Sequence, residues 1–363
     1  MATLTEDEAA TLQLGVDESY ELSVSAGGEC SVQAATVWGA LHAMESFTQL
    51  LSRQGGEVAL DYLPVSLQDS PRYSHRGLLI DSSRHFLPVS EILAVIDTLP
   101  MSKFNVLHWH IVDAQSFPMD PPSAPRLVQG AYSPAASYSA TDIQGVVQYG
   151  SDRGVRVLLE IDVPGHAASW TKGYPDVMAD CFAKYSYNIN DFALNPTKEE
   201  TYSLLQGVLQ DAAEATRVAG RGGLLHIGGD EVVYGCWNND SSIVAYMEQH
   251  AMSTDQLLMM FAERADEMLR ALKVTPVHWE EGEWAAHHTH ITHTSHTCRI
   301  TIVPNICNEF VVYFIISRHS VQGGREVRLP ARPPGRRHLR GVDQQGADPQ
   351  HRAGGLPRHR RAL

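Results

Sequence analysis

Two glycines stand directly ahead of two adjacent carboxylates in the segment His226-Ile227-Gly228-Gly229-Asp230-Glu231. Without side chains at the glycines a bulky ligand can approach the backbone, and paired acids beside such an opening are equipped to move protons. Adjacent residues of an extended segment point to opposite faces, so these two carboxylates cannot straddle one reacting oxygen and must divide the labour. Comparable groups recur along the chain: Asp81, His110 with Asp113, Glu160 with Asp162, and Trp279 with Glu280. Taken singly, His110 or His166 is as well explained as a satisfied core histidine, and Asp162 as a turn cap. Their placement, each at the end of an apolar run, is what favours a shared site.

Those apolar runs are the elements that must position them. Candidate strands cover Arg76 to Asp81, Phe104 to Asp113, Val155 to Asp162, Leu224 to Glu231 and Val274 to Glu280. All are apolar enough to be buried on both faces, as parallel strands are. Helical stretches separate them: one opened by Asn195 as cap and Pro196 in the first turn, running through Leu204, Leu205, Val208 and Leu209, and another from Thr254 to Lys273. Alternation of this kind predicts an α/β fold, a TIM-type (β/α)8 barrel whose active site lies at the C-terminal ends of the strands, with five of the eight strands recognisable. Ahead of it, residues 19 to 36 alternate as two short strands. Thr36 to Arg53 then places Val37, Leu41, Met44, Phe47, Leu50 and Leu51 on one helical face. The expected organisation is a small α+β domain over residues 1–70, the barrel over 71–284, and an anomalous tail over 285–363. That tail holds a tract of His, Thr and Ser, an apolar stretch without strand or helix continuity, and an Arg, Pro and Gly-rich end for which disorder is the expectation.

Charge narrows the class of ligand. Eleven Arg and only three acids fall in residues 318 to 363, which leaves 17 basic against 39 acidic residues in the first 317, a balance of −22. Such a body disfavours nucleic acid and is compatible with an uncharged ligand such as a sugar. Five cysteines without a CxxC unit suggest neither a zinc site nor a redox motif. Residues 1 to 15 lack a basic start and apolar core, so no signal peptide is read there. The apolar run Phe310 to Ile316 is too short for a membrane span, so none is expected.

The motifs together resemble glycoside hydrolase family 20, the β-N-acetylhexosaminidases. The resemblance is carried by Arg76 to Asp81 with Ser83-Arg84-His85, by His108-Trp109-His110 with Asp113, by Glu160-Ile161-Asp162-Val163-Pro164-Gly165-His166, and by the segment ending in Asp230-Glu231 followed by Cys236-Trp237. It spans about residues 19 to 284. It implies exo-hydrolysis of terminal β-linked N-acetylhexosamine in glycans, without metal or organic cofactor, by substrate-assisted catalysis outside the two-carboxylate scheme. By the same resemblance Glu231 is the acid/base, its pKa raised by burial beside Asp230, and Asp230 orients the substrate's 2-acetamido group. His166 and Asp113 are implied as a relay to the acid, Arg84 as a ligand of sugar hydroxyls, Trp279 as a wall of the acetamido pocket, Asp162 as a supporting member of the rim and His110 as a group behind it. Cys181 and Cys236 resemble a family disulfide. A lysosomal or extracellular location is implied, and a homodimer is allowed.

The chain departs from the family at Ala114, where a second aspartate is common, and after Trp284, where the later strands have no recognisable counterpart. The reading is of a C-terminally truncated or frame-shifted chain with unpaired sheet edges. Two other readings stand beside the hydrolase: a catalytically silent fragment that binds sugar weakly, and a barrel metallohydrolase with His108, His110, His166 and Asp230 as ligands of an activated-water site.

Overall fold

Alternating apolar and polar side chains after residue 19 produce, in the computed structural model of the chain, strands β1 (Tyr20–Val24) and β2 (Cys30–Ala34). The structure describes Leu12, residues 14–180, 188–220 and 223–279, and the backbone of Phe314–Ile316. With β5 (Val65–Asp69), β1 and β2 form an antiparallel sheet of order β2-β1-β5. Tyr20, Leu22 and Val24 are buried on one face, as the period of two requires. Helix α1 (Val37–Leu50) covers that face through Ala43, Phe47 and Leu50. Thr36 caps it, its hydroxyl accepting the Gly39 N–H at 3.2 Å. The expected apolar stripe is corrected in part: Leu41 and Met44 are exposed, whereas Trp38 and His42 are buried. His42 lies 2.9 Å from the buried Glu18 carboxylate, which turns a polar side of the helix into an interior contact. A hairpin of β3 (Leu51–Gln54) and β4 (Glu57–Leu60) follows.

From Arg76 onward five strands run parallel in chain order: β6 (Arg76–Asp81), β7 (Val106–Val112), β8 (Arg156–Ile161), β9 (Leu224–His226) and β10 (Thr275–Val277). Between them lie α2 (Val89–Thr98), α3 (Ala140–Ser151), α4 (Glu199–Thr216), the single turn α5 (Tyr234–Trp237), α6 (Ser241–His250) and α7 (Thr254–Ala271). Every residue of β7 is buried, as in a strand covered on both faces. Ile92, Ile96, Val146, Leu205 and Leu209 of the helices join Leu107, Trp109 and Leu159 of the strands in one apolar core. Consecutive parallel strands with helical crossovers form a TIM-type barrel sheet, with five of eight strands among the described residues.

Three expectations are adjusted. β9 ends at His226 rather than Glu231, because Gly228, Gly229 and Glu231 adopt positive φ values of 64°, 96° and 52° and turn the chain out of the strand. α4 starts at Glu199 rather than Pro196, because the Asn195 side-chain carbonyl accepts the Thr197 N–H at 2.9 Å and forms a turn ahead of the helix. The third concerns the barrel edge: β11 (Phe314–Ile316) pairs antiparallel with β6, so the β6 edge is covered by a stretch in which no strand was foreseen. Glu280, the His-rich tract and the Arg-rich end lie outside the described residues. Among the described residues no helix is long and apolar enough to cross a membrane.

At the N-terminal end of the strands a closed ion pair joins the segment before β1 to the barrel. Glu18 accepts from Arg76 at 2.7 and 3.0 Å and from the Asn105 amide at 3.1 Å, besides its contact with His42. Arg76 opens β6 and Asn105 directly precedes β7, so this pairing fixes the start of both strands.

Candidate active site

In-register pairing of the parallel strands sets Asp81 beside His110, His110 beside Glu160, and Glu160 beside His226, so four ionisable side chains share one level. His108, two residues before His110 on β7, faces the same side. Glu160 is fully buried, and its carboxylate is surrounded. Oε2 lies 2.6 Å from His108 Nε2 and 3.0 Å from His110 Nδ1, while Oε1 accepts the Trp279 indole N–H at 2.8 Å. Burial alone would raise this carboxyl, but the charge of His110 and the hydrogen bond from His108 hold it well below the usual carboxylate range. His226 stays neutral, its pKa pushed down to about 3 chiefly by burial. Its Nδ1 accepts the Gly228 N–H at 3.0 Å.

A second group lies one step outward. Asp113, buried just beyond β7, contacts His110 Nε2 at 2.7 Å through Oδ2 and His166 Nδ1 at 3.2 Å through Oδ1. Arg84 reaches Asp113 Oδ2 at 2.8 Å and is also paired with Asp81. Burial works against the charge on Asp113, but hydrogen bonds from His110 and His166 lower its pKa well below the ordinary value. His166 shows the reverse balance: burial lowers its pKa, yet Asp113, Asp162 and Asp230 lift it to about 9, so the ring is cationic at neutral pH. For His110 the same opposition, with Glu160 and Asp113 as the partners, leaves the pKa well above ordinary.

The turn after β9 carries Asp230 and Glu231. A Cβ on Gly228 would fall 1.7 Å from Asp162 Oδ1, so glycine is required there both for its φ and for this close approach. The Gly229 N–H donates to the same oxygen at 3.3 Å, tying the turn to the end of β8. Ligand-capable atoms of His166, Asp230 and Glu231 lie within 4.8 Å of one another, with His166 Nε2 3.4 Å from Glu231 Oε2. His166 Nε2 and Asp230 Oδ1 are buried without a hydrogen-bond partner among the described residues. Burial raises the Asp230 pKa to about 6; His166 opposes this, while Glu160 and Glu231 add to it. Asp162, buried at 3.8 Å from His166 Nε2, is raised well above the usual range by burial and by Asp230 and Glu160, against His166.

The structure therefore gathers Asp113, His166, Asp230, Glu231, Arg84, His110, Asp162 and Trp279 at the C-terminal ends of β6 to β10. The expected burial of Glu231 is not found: its side chain is 67% exposed, because its left-handed backbone turns it outward from the strand end. From the sequence, His108 was singled out only as a ligand in the metallohydrolase alternative, Glu160 only as a strand-end acid beside Asp162, and His226 not at all. Their signal was the His-x-His alternation, which puts both rings on one face beside a strand ending in Glu160. As metal ligands these histidines are already engaged: His108 by Glu160, both nitrogens of His110 by Glu160 and Asp113, and His226 Nδ1 by a backbone N–H. Cys236 is buried and disulfide-bonded, and Cys181 lies outside the described residues.

Comparison with known proteins agrees with this geometry. Residues 73–301 match the family model for the glycosyl hydrolase family 20 catalytic domain, and residues 2–50 one described as beta-acetyl hexosaminidase like. The chain is 40% identical over 271 residues to beta-hexosaminidase subunit A1 of Dictyostelium discoideum, covering 75% of this chain and 50% of that protein. It is 37% identical over 283 residues to the human beta-hexosaminidase subunit beta, covering 77% and 50%. Among solved structures it is similar to a Flavobacterium johnsoniae chitobiase, with TM-score 0.66, 32% identity, and 75% of this chain and 41% of that one covered. It is also similar to the Vibrio harveyi exo-β-N-acetylglucosaminidase in complex with N-acetylglucosamine, with TM-score 0.65, 28% identity, and 73% and 44% covered. The chain thus spans about half the length of the curated relatives it matches.

Proposed function

Because the chain belongs to glycosyl hydrolase family 20, we propose that its site removes terminal non-reducing β-linked N-acetylglucosamine or N-acetylgalactosamine from glycans by retaining, substrate-assisted hydrolysis. The observation that carries this reading is the triangle of His166, Asp230 and Glu231, whose polar atoms lie within 4.8 Å while His166 Nε2 and Asp230 Oδ1 remain unsatisfied. Buried polar atoms without partners are rare in folded proteins and suit groups that wait for a ligand.

Asp230, ionised above about pH 6, accepts the N–H of the substrate's 2-acetamido group and turns its carbonyl oxygen onto the anomeric carbon. As that oxygen bonds to the carbon, the glycosidic bond breaks and Glu231 gives its proton to the departing oxygen. The positive charge left on the cyclised amide lies beside the Asp230 carboxylate. Glu231, now a carboxylate, takes a proton from water, whose oxygen attacks the anomeric carbon and reopens the ring, so two inversions give retention. Cationic His166, held by Asp113, faces Glu231 Oε2 from 3.4 Å and orients its carboxyl group. Arg84, oriented by Asp81 and Asp113, presents its rigid fork to sugar hydroxyls. Trp279 walls the acetamido group, with His110 and Asp162 supporting the rim from behind.

The bridged Cys236 supports a compartment outside the reducing cytosol, lysosomal or extracellular. The direct test is release of a chromogenic leaving group from a β-N-acetylglucosaminide. Glu231→Gln is expected to lower kcat by roughly 10³-fold, within the range for a general acid, with N-acetylglucosamine binding retained. The exposure of Glu231 favours a second reading, a sugar-binding chain without turnover. Saturable binding with no release above the Glu231→Gln background would select it.

A further inference from the structure

Glu160 is unlike the other acids of the site. It is wholly buried, lies beneath the groups that face solvent, and is the point at which the pocket wall and the proton relay meet. Its two oxygens serve different partners. Oε1 takes the indole N–H of Trp279 at 2.8 Å, and Trp279 also packs against His226 and His108 at centroid separations of 4.6 and 5.4 Å. Oε2 meets His108 at 2.6 Å and His110 at 3.0 Å, and His110 passes on to Asp113 at 2.7 Å and thence to His166. We propose that Glu160 is a positioning residue with two separable duties: Oε1 moors the tryptophan wall of the sugar pocket, and Oε2 keeps the inner end of the His110–Asp113–His166 chain protonated.

The physical case is one of paired burial. A tryptophan N–H at a ligand pocket needs an acceptor that does not move, and a buried carboxylate held by imidazoles supplies one. That carboxylate in turn persists in the interior only because cations face it. The groups around His110 are Glu160 and Asp162 from the β8 end and Asp113 beyond β7, with Arg84 on the far side of Asp113. Around Glu160 itself lie His108 and His110 of β7, His226 of β9 and Trp279 after β10. Of these histidines His226 is neutral and donates nothing to Glu160 through Nδ1, so His110 carries the charge balance while His108 contributes a hydrogen bond. A glutamine at 160 still offers a carbonyl to the indole, but its NH2 donates toward His110 Nδ1. That geometry is compatible only with the neutral ring, whose remaining proton stays on Nε2 toward Asp113.

Two variants separate the duties. In ¹⁵N-histidine NMR of the whole chain, with His110 identified from a His110→Gln spectrum, the wild-type ring should stay doubly protonated through neutral pH. In Glu160→Gln the ring should be neutral there, while the Trp279 indole signal, assigned from Trp279→Phe, stays in place. Binding of N-acetylglucosamine should remain within about threefold in Glu160→Gln, and weaken about tenfold or more in Glu160→Ala, the cost of unmooring one buried N–H. The binding arm rests on the sugar-hydrolase reading, whereas the NMR arm does not. If the wild type binds no sugar but the His110 shift appears, the function is wrong and the positioning role stands. A His110 ring still charged in Glu160→Gln, or a Trp279 signal displaced there as in Glu160→Ala, would overturn the proposal.

Discussion

Both ends of the barrel strands bury charge, and they do so to opposite ends. At the N-terminal end, Glu18 and Arg76 form a closed set: both Glu18 oxygens are engaged, and every Arg76 guanidinium nitrogen donates to Glu18, Tyr73 or Lys103. At the C-terminal end, Glu160, His110 and Asp113 are equally well paired, but beyond them His166 Nε2 meets Glu231 and Asp162 only at ion-pair distances of 3.4 and 3.8 Å, and neither it nor Asp230 Oδ1 makes a hydrogen bond among the described residues. A closed network converts buried charge into a fixed joint between the small sheet and the barrel. An open one holds charge ready for something that enters from outside.

The largest effect that would sharpen this contrast is on stability. Glu18→Ala leaves the half-buried Arg76 without its carboxylate partner and should cost about 3 kcal/mol in denaturant unfolding. Asp230→Asn, which removes an unsatisfied carboxylate, should leave stability level or raised while lowering turnover roughly 10²–10³-fold. Equal destabilisation by both would break the distinction. Next in size is Gly228→Ala. Forcing a Cβ into Asp162 at a left-handed φ should cost about 1–3 kcal/mol and displace the Asp230–Glu231 turn, seen as lost sugar affinity. Smaller again is the pH response of kcat/KM. It should rise as pH climbs through about 6, where Asp230 ionises, and fall as pH passes about 9, where His166 loses its proton. Asp230→Asn should erase the acid limb alone. Least of all, Met44→Ala, on the exposed side of α1, should change stability by no more than about 0.5 kcal/mol.

The barrel was legible in the sequence because β6, β7 and β8 are continuous apolar runs ending in polar residues, a pattern that leaves little choice of face or length. Strands such as β9 were misjudged at their ends, since Ile227 extends the apolar run although Gly228 and Gly229 turn the chain by conformations that hydropathy does not encode. Asp230, Glu231 and His166 could be singled out as candidates because their motifs are local. Glu160 was passed over as part of a motif because its importance comes from partners on β7 and beyond β10, contacts that exist only once the strands are in register. The exposure of Glu231 was likewise hidden, being fixed by one left-handed residue rather than by its neighbours in sequence. On α1 the stripe was misplaced because Glu18, far from the helix in sequence, recruits His42 inward.

The central claim is that the substrate's own amide is the nucleophile, steered by Asp230. It is tested most directly by comparing hydrolysis of two otherwise identical chromogenic β-glycosides, one bearing the 2-acetamido group and the other a 2-hydroxyl. The account predicts turnover of the first and a rate for the second lower by about 10³-fold or more, the scale expected when an intramolecular nucleophile is withdrawn. Comparable rates for the two would contradict it.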